Sequence, residues 1–234
     1  MATGKLMLKS NSNIGFNSKS ISKKLWKRSF FYFICALLLV FVGGIMAVGG
    51  YIIYFYNFKK FPPPPDVSHI LPHLKNGDII LRSGVGFWSE QFRQSNIHDK
   101  RFSHVGIVLI APNGTPSVLH AEGNDFSGNG QVAIDTLENF VGKSIDIGIS
   151  RLHSADPDEF TAHAQTFLKV PFDWQFNTQT STEIYCTELI DLALKRTLTG
   201  SALQQNQRGI IVPEACLDKR YFNEIPLTIS SPSP

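Results

Sequence analysis

The chain has 234 residues and carries 22 Lys/Arg against 19 Asp/Glu, a formal net charge of +3. That small number conceals two opposed parts: seven Lys/Arg and no acid precede Ser29, whereas residues 61–234 hold 13 Lys/Arg against all 19 Asp/Glu. An acidic folded part excludes nucleic acid as its expected partner, and the length allows one domain of ordinary size plus an appendage.

The appendage comes first. Residues 1–28 read as a basic cytoplasmic tail, and residues 29–58 contain no charge, with Phe30 to Val42 almost wholly apolar. A bilayer is crossed by about 20 such residues, so this stretch is expected to be an uncleaved single-span anchor. The run is long for a signal-peptide core, and no small-x-small cleavage site follows it. Basic residues flank its N-terminal side, which places the tail in the cytoplasm and the remainder outside the inner (plasma) membrane, with Tyr51, Tyr54 and Tyr56 at the far interface. Residues 59–68 form a Pro-rich linker around Pro62-Pro63-Pro64-Pro65, and residues 69–228 form the globular domain, with 229–234 a disordered tail. His69 and His73 have the spacing of a helical metal pair, but Pro72 between them argues against it, and no metal or other cofactor is expected.

Lys75 to Arg82 reads as a turn entering a strand, and Trp88 to Phe92 as a short helix capped by Ser89. Arg101 to Ile110 is an apolar, β-branched strand that carries His104, and its partner Ser117 to Gly123 carries His120 and Glu122. Pro112-Asn113-Gly114 suits a three-residue loop with Gly114 in the left-handed position, which sets Ala111 opposite Thr115. In that register His104 faces Glu122 and lies diagonal to His120. A two-residue loop would instead turn His120 to the other side of the sheet.

Further on, Leu189, Ile190, Ala193 and Leu194 lie at i+3, i+4, i+7 and i+8 from Cys186, one face of a helix that Cys186 opens. A thiol there meets free N–H groups and the positive end of the helix dipole, so its pKa is expected well below that of a free cysteine. The same position suits a buried apolar thiol or a disulfide with Cys216, which would make the domain a non-catalytic, stapled envelope module. A cysteine opening a helix beside a strand histidine, with a second polar residue on the next strand, is also the arrangement of a thiol hydrolase.

Phe102-Ser103-His104-Val105-Gly106 with Val118-Leu119-His120-Ala121 resembles the histidine hairpin of the NlpC-type cysteine peptidases. Here the cysteine follows the hairpin. That order, with Asn76-Gly77-Asp78-Ile79-Ile80, Val170-Pro171-Phe172-Asp173-Trp174 and Tyr185-Cys186-Thr187-Glu188-Leu189-Ile190, resembles the circularly permuted YiiX/YebB-like branch over about residues 70–225. Val170 and Thr187 stand where glycine and serine are usual. The resemblance implies an α+β fold, a permuted papain-like domain with a small antiparallel sheet packed on the cysteine helix. It also implies Cys186 as nucleophile, His104 as general base and His120 as the orienting third member, a place some relatives fill with a carboxylate. Glu122, opposite His104, is the alternative orienter, and the Cys186 backbone with Tyr185 the candidate oxyanion donors. The expected substrate is an amide in cell-wall peptides, or alternatively an acylated lipid or N-acyl amide handled by the same nucleophile as hydrolase or acyltransferase. The oligomeric state is left open.

Overall fold

The computed structural model describes residues 18–57, 62–124 and 127–227, in two compact units. The first unit, which ends at Tyr54, holds most of helix α1, Ser18–Asn57, whose segment Trp26–Tyr54 is long and apolar enough to cross a membrane. The helix begins upstream of the uncharged run, because Ser18 to Arg28 is itself rich in helix-forming lysines. Residues 1–17 of the expected tail, residues 58–61 of the anchor and linker, and the expected C-terminal tail at 229–234 lie outside the described residues. Residues 62–67 lie outside any helix or strand.

The second unit is a six-stranded antiparallel sheet with helices around it, as the α+β expectation requires. Its strands are β1 (Ile79–Gly84), β2 (His104–Ile110), β3 (Pro116–Gly123), β4 (Gly130–Thr136), β5 (Ser144–Leu152) and β6 (Phe222–Ile225), in the order β4-β3-β2-β1-β5-β6. Helix α2 (Phe87–Ser95) follows β1, α3 (Leu137–Gly142) follows β4, and α4 (Pro157–Gln165) and α5 (Cys186–Thr197) lie between β5 and β6. Helix α2 begins earlier than its sequence suggests. Gly86 occupies the cap position at φ +108°, and Ser89 falls within the first turn.

The sheet is central because side chains alternate across it. Ile79, Leu81, Val105, Ile107, Leu119 and Ala121 share one core with Leu189, Ile190, Ala193 and Leu194 of α5. Ile80, Val108, Val118, Ile147 and Ile149 share the other with Leu137, Phe140 and Val141 of α3. The four α5 residues are fully buried, each contributing about 1.5–3 kcal/mol for the larger side chains. Helix α4 is started by Pro157 and capped by Asp156, whose Oδ1 accepts the N–H groups of Asp158 and Glu159 at 2.8 and 3.0 Å.

The β2–β3 hairpin closes through three residues. Ala111 N–H donates to Thr115 O at 3.0 Å, Gly114 N–H donates to Ala111 O at 2.8 Å, and Gly114 takes φ +82°. The ladder runs from Ile110 opposite Pro116 to Ile107 opposite Leu119 and stops there. His104 lies beyond that end and is not laddered to Glu122, and on its other side it pairs with Arg82 on β1. Gly106 lies just beyond the last β2–β3 pair, where a Cβ would stand 2.4 Å from Val118 Cγ1 and 3.2 Å from His120 Cβ. Gly106→Ala should overpack this junction and destabilise the domain by about 1–3 kcal/mol, read as a lowered Tm of the full chain in detergent.

Candidate active site

Cys186 is the first residue of α5, with Tyr185 as its N-cap. Glu188 Oε2 accepts Tyr185 N–H at 3.4 Å, while the Tyr185 phenol oxygen accepts Ile211 N–H at 3.0 Å. Tyr185 is buried, and its ring packs edge-on against Phe176. The Tyr185 N–H is thus engaged by Glu188 at the start of α5, and its phenol oxygen ties α5 to the chain at Ile211. The other oxygen of Glu188, Oε1, is buried without a partner. Burial first, then the nearby Asp173 and Asp191, push the Glu188 carboxyl up to about 8, so it is mostly protonated at neutral pH.

The thiol departs from expectation. Cys186 is partly buried, and desolvation pushes its pKa up to about 11, although the N–H groups of Val105, Thr187 and Cys186 and the charge of Arg82 all favour the thiolate. The helix terminus is therefore outweighed by the apolar wall around the sulfur. Cys186 shares a narrow slot with His104, walled by Phe92, Phe172, Phe176, Ile211 and Val212. Cys216 is buried, and both it and Cys186 are free thiols.

Strand alternation puts His104 and His120 on the face of the sheet that carries Phe140, away from α5. The slot is shared because His104 is the first residue of β2 and Cys186 the first of α5. His104 Nε2 lies 2.9 Å from His120 Nδ1. His120 Nε2 in turn lies 3.4 Å from Asp135 Oδ2, on β4. Phe140 packs against both imidazoles, and the Arg82 guanidinium lies 4.6 Å from the centre of the same ring. Burial first, then the positive charge of Arg82, holds His104 well below its ordinary pKa; burial likewise lowers His120. Both imidazoles are neutral at pH 7.

Glu122 is not placed as the alternative orienter requires. One of its oxygens meets Arg82 and the other accepts from Lys143 Nζ at 2.7 Å. Burial alone would raise this carboxyl, yet Arg82, Lys143 and His120 hold it below the usual carboxylate range. Its displacement from His104 follows from the early end of the β2–β3 ladder.

Four neighbours escaped the sequence reading: Arg82, Asp135, Phe140 and Lys143. Arg82 left a trace, a charge at the end of the apolar run Ile79-Ile80-Leu81. Asp135 left none, since it reaches His120 only through the β3–β4 register that sets His120 opposite Ala133. Past the histidines the site opens into a groove of about 950 Å³ that includes His120, Glu122, Asp135, Lys143 and Trp174.

The family described as permuted papain-like amidase enzymes of the YaeF/YiiX type, C92, matches residues 73–214. Among solved structures, the metalloprotein yiiX from Escherichia coli O157:H7 is similar in fold, with a TM-score of 0.52 at 18% identity, over 65% of this chain and 96% of that one. No curated protein matches.

A thiol raised to about 11 is almost wholly protonated at pH 7. Iodoacetamide should therefore label Cys186 slowly at neutral pH, at a rate that climbs about tenfold per pH unit until it levels near 11. A plateau reached by pH 8 would instead mark a preformed thiolate.

Proposed function

The chain belongs to the C92 family of permuted papain-like amidases, and from that premise we propose that it cleaves amide bonds through an acyl-enzyme on Cys186, with His104 as base and His120 as orienter. The observation that carries this reading is the 2.9 Å contact between His104 Nε2 and His120 Nδ1, beside a thiol that opens a helix. With Nε2 turned to His120, Nδ1 is the nitrogen His104 has left for the thiol. A neutral imidazole has one donor and one acceptor nitrogen. To receive the Cys186 proton on Nδ1, His104 must carry its hydrogen on Nε2 and donate it to His120 Nδ1. His120 then carries its own hydrogen on Nε2, toward Asp135. Asp135 is accordingly a positioning residue, which selects the tautomer of His120 and through it that of His104.

The starting pair is neutral, so the thiol loses its proton to His104 as the sulfur attacks the amide carbonyl. The Cys186 N–H, at the positive end of α5, faces the developing oxyanion. Collapse of the tetrahedral intermediate breaks the C–N bond, and His104 returns the proton to the leaving amine. Water, deprotonated by His104, then releases the acid and restores the thiol.

Wall peptides are the leading substrate class, because the groove beyond the histidines presents both charges and amides, including Glu122, Lys143, Asn129 and Gln131. The apolar slot at Cys186 favours a second reading, an N-acyl amide or lipid whose acyl carbons bed against Phe92, Phe172 and Phe176. Under either reading helix α1 serves as the membrane anchor, with its N-terminus cytoplasmic and the hydrolase outside.

The yiiX protein is named a metalloprotein, and in this chain the donor set that would suit a divalent ion is His120, Glu122 and Asp135, whose ligand atoms lie within 4.8 Å of one another. An ion there would supply a fixed positive charge, and no step of the hydrolysis passes through it.

Incubation of the full chain with purified wall fragments and with N-acyl amino acids should release amine from one set. Cys186→Ser or His104→Ala should lower the rate at least about 100-fold with little change in Tm. No release from either set, or full activity in Cys186→Ser, would overturn the proposal. A reporter fused after Pro234 should be active only outside the cytoplasm, and cytoplasmic activity would reverse the orientation.

A further inference from the structure

We infer that His120, Glu122 and Asp135 form a divalent-cation site whose occupation is incompatible with catalysis, because the ion and the mechanism require opposite tautomers of His120. The metal-binding half stands on the cluster itself. The inhibitory half rests on the roles of His104 and Cys186 proposed above.

The site has three donors of two kinds. His120 is buried, and its Nε2 is aimed at the carboxylates, yet at 3.4 Å its contact with Asp135 Oδ2 is longer than a normal N–H···O hydrogen bond. Glu122 and Asp135 are each about one third exposed and open onto the groove, which gives an ion a way in. An imidazole nitrogen with two carboxylate oxygens suits zinc, manganese or a similar first-row ion.

Two cations bear on the same carboxylates, and they are not equivalent. Arg82 is buried and meets Oε1 of Glu122, while it also donates to Phe140 O at 3.0 Å. Lys143 meets Oε2, and its side chain is half exposed. An incoming ion can therefore displace the Lys143 ammonium into water and take Oε2, with Arg82 left holding Oε1. Lys143 is in this sense a built-in competitor for the site.

The consequence for chemistry follows from hydrogen count. A metal ion binds the lone pair of Nε2, so the His120 hydrogen must be on Nδ1. Nδ1 is the atom 2.9 Å from His104 Nε2, and it becomes the donor in that contact. His104 must then accept on Nε2 and carry its hydrogen on Nδ1. That nitrogen no longer has a lone pair for the Cys186 thiol. A single ion on β3 and β4 thus disables the base without touching the nucleophile, and its release restores the hydrolase.

The test uses the full chain in detergent with Cys186→Ser, so that the thiol cannot bind metal, and zinc as the probe. Titration calorimetry should show one zinc per chain. Glu122→Gln should weaken it at least about tenfold, and Lys143→Met should tighten it by a similar factor. Asp135→Asn, on the more exposed strand, serves as the second ligand variant should Glu122→Gln fail to fold. Long-range ¹H–¹⁵N spectra of the histidine rings should show His104 passing from the Nε2–H to the Nδ1–H tautomer as zinc is added. Absence of zinc binding, an affinity indifferent to the ligand variants and to Lys143→Met, or a His104 tautomer unmoved by bound zinc would each overturn the inference. None of these readouts needs a substrate, so they separate its failure from that of the proposed hydrolysis.

Discussion

The contact between His104 and His120 is the constraint on which the site depends, and it exists only because a three-residue turn sets the register of β2 against β3. A slip of one residue would send His120 to the α5 face of the sheet, where it would displace apolar side chains from the main core. Gly114, held at φ +82°, and Gly106, where Val118 leaves no room for a side chain, mark the two ends of that register. Around Gly106 the two strands are buried on both faces, at residues 105–108 and 118–121, and this packing holds the histidines beside it.

That packing also sets the electrostatics. A helix N-terminus and three N–H groups favour a thiolate at Cys186, but the energy of removing a charge from water is larger, and the thiol stays neutral. The same burial, aided by Arg82, keeps His104 neutral. The pair is thus a neutral couple. Beside the histidines the buried charge is that of Arg82, which lies over Phe140 and is met by Glu122. Glu122 is thereby held by Arg82 and Lys143 while it stays within 4.8 Å of His120 at the edge of the groove.

The proposed hydrolysis and its inferred control by a metal ion meet at His120. Its Nδ1 faces His104 and its Nε2 faces the partly exposed carboxylates of Asp135 and Glu122. A neutral imidazole cannot donate from both nitrogens, so whatever occupies one side dictates what the other can do. Under the inference drawn above, an ion in the groove would act on Cys186 through a single proton position on His120.

Much of this was legible in local sequence. The spacing of Leu189, Ile190, Ala193 and Leu194 marks α5 and its buried face, and Cys186 at its start follows from counting back along the helix. Pro112-Asn113-Gly114 specifies a turn, and with it the diagonal placement of His120, because turn chemistry is a property of adjacent residues. The uncharged run of α1 is legible for the same reason. What depends on distant segments was not: β4 brings Asp135 beside His120, β1 sets Arg82 beside His104, and α3 supplies Phe140 and the approach of Lys143. The thiol's pKa belongs with these. A helix dipole can be inferred from sequence, but desolvation is a sum over every wall around the sulfur, and those walls come from residues 92, 172, 176 and 211, which only the tertiary structure assembles.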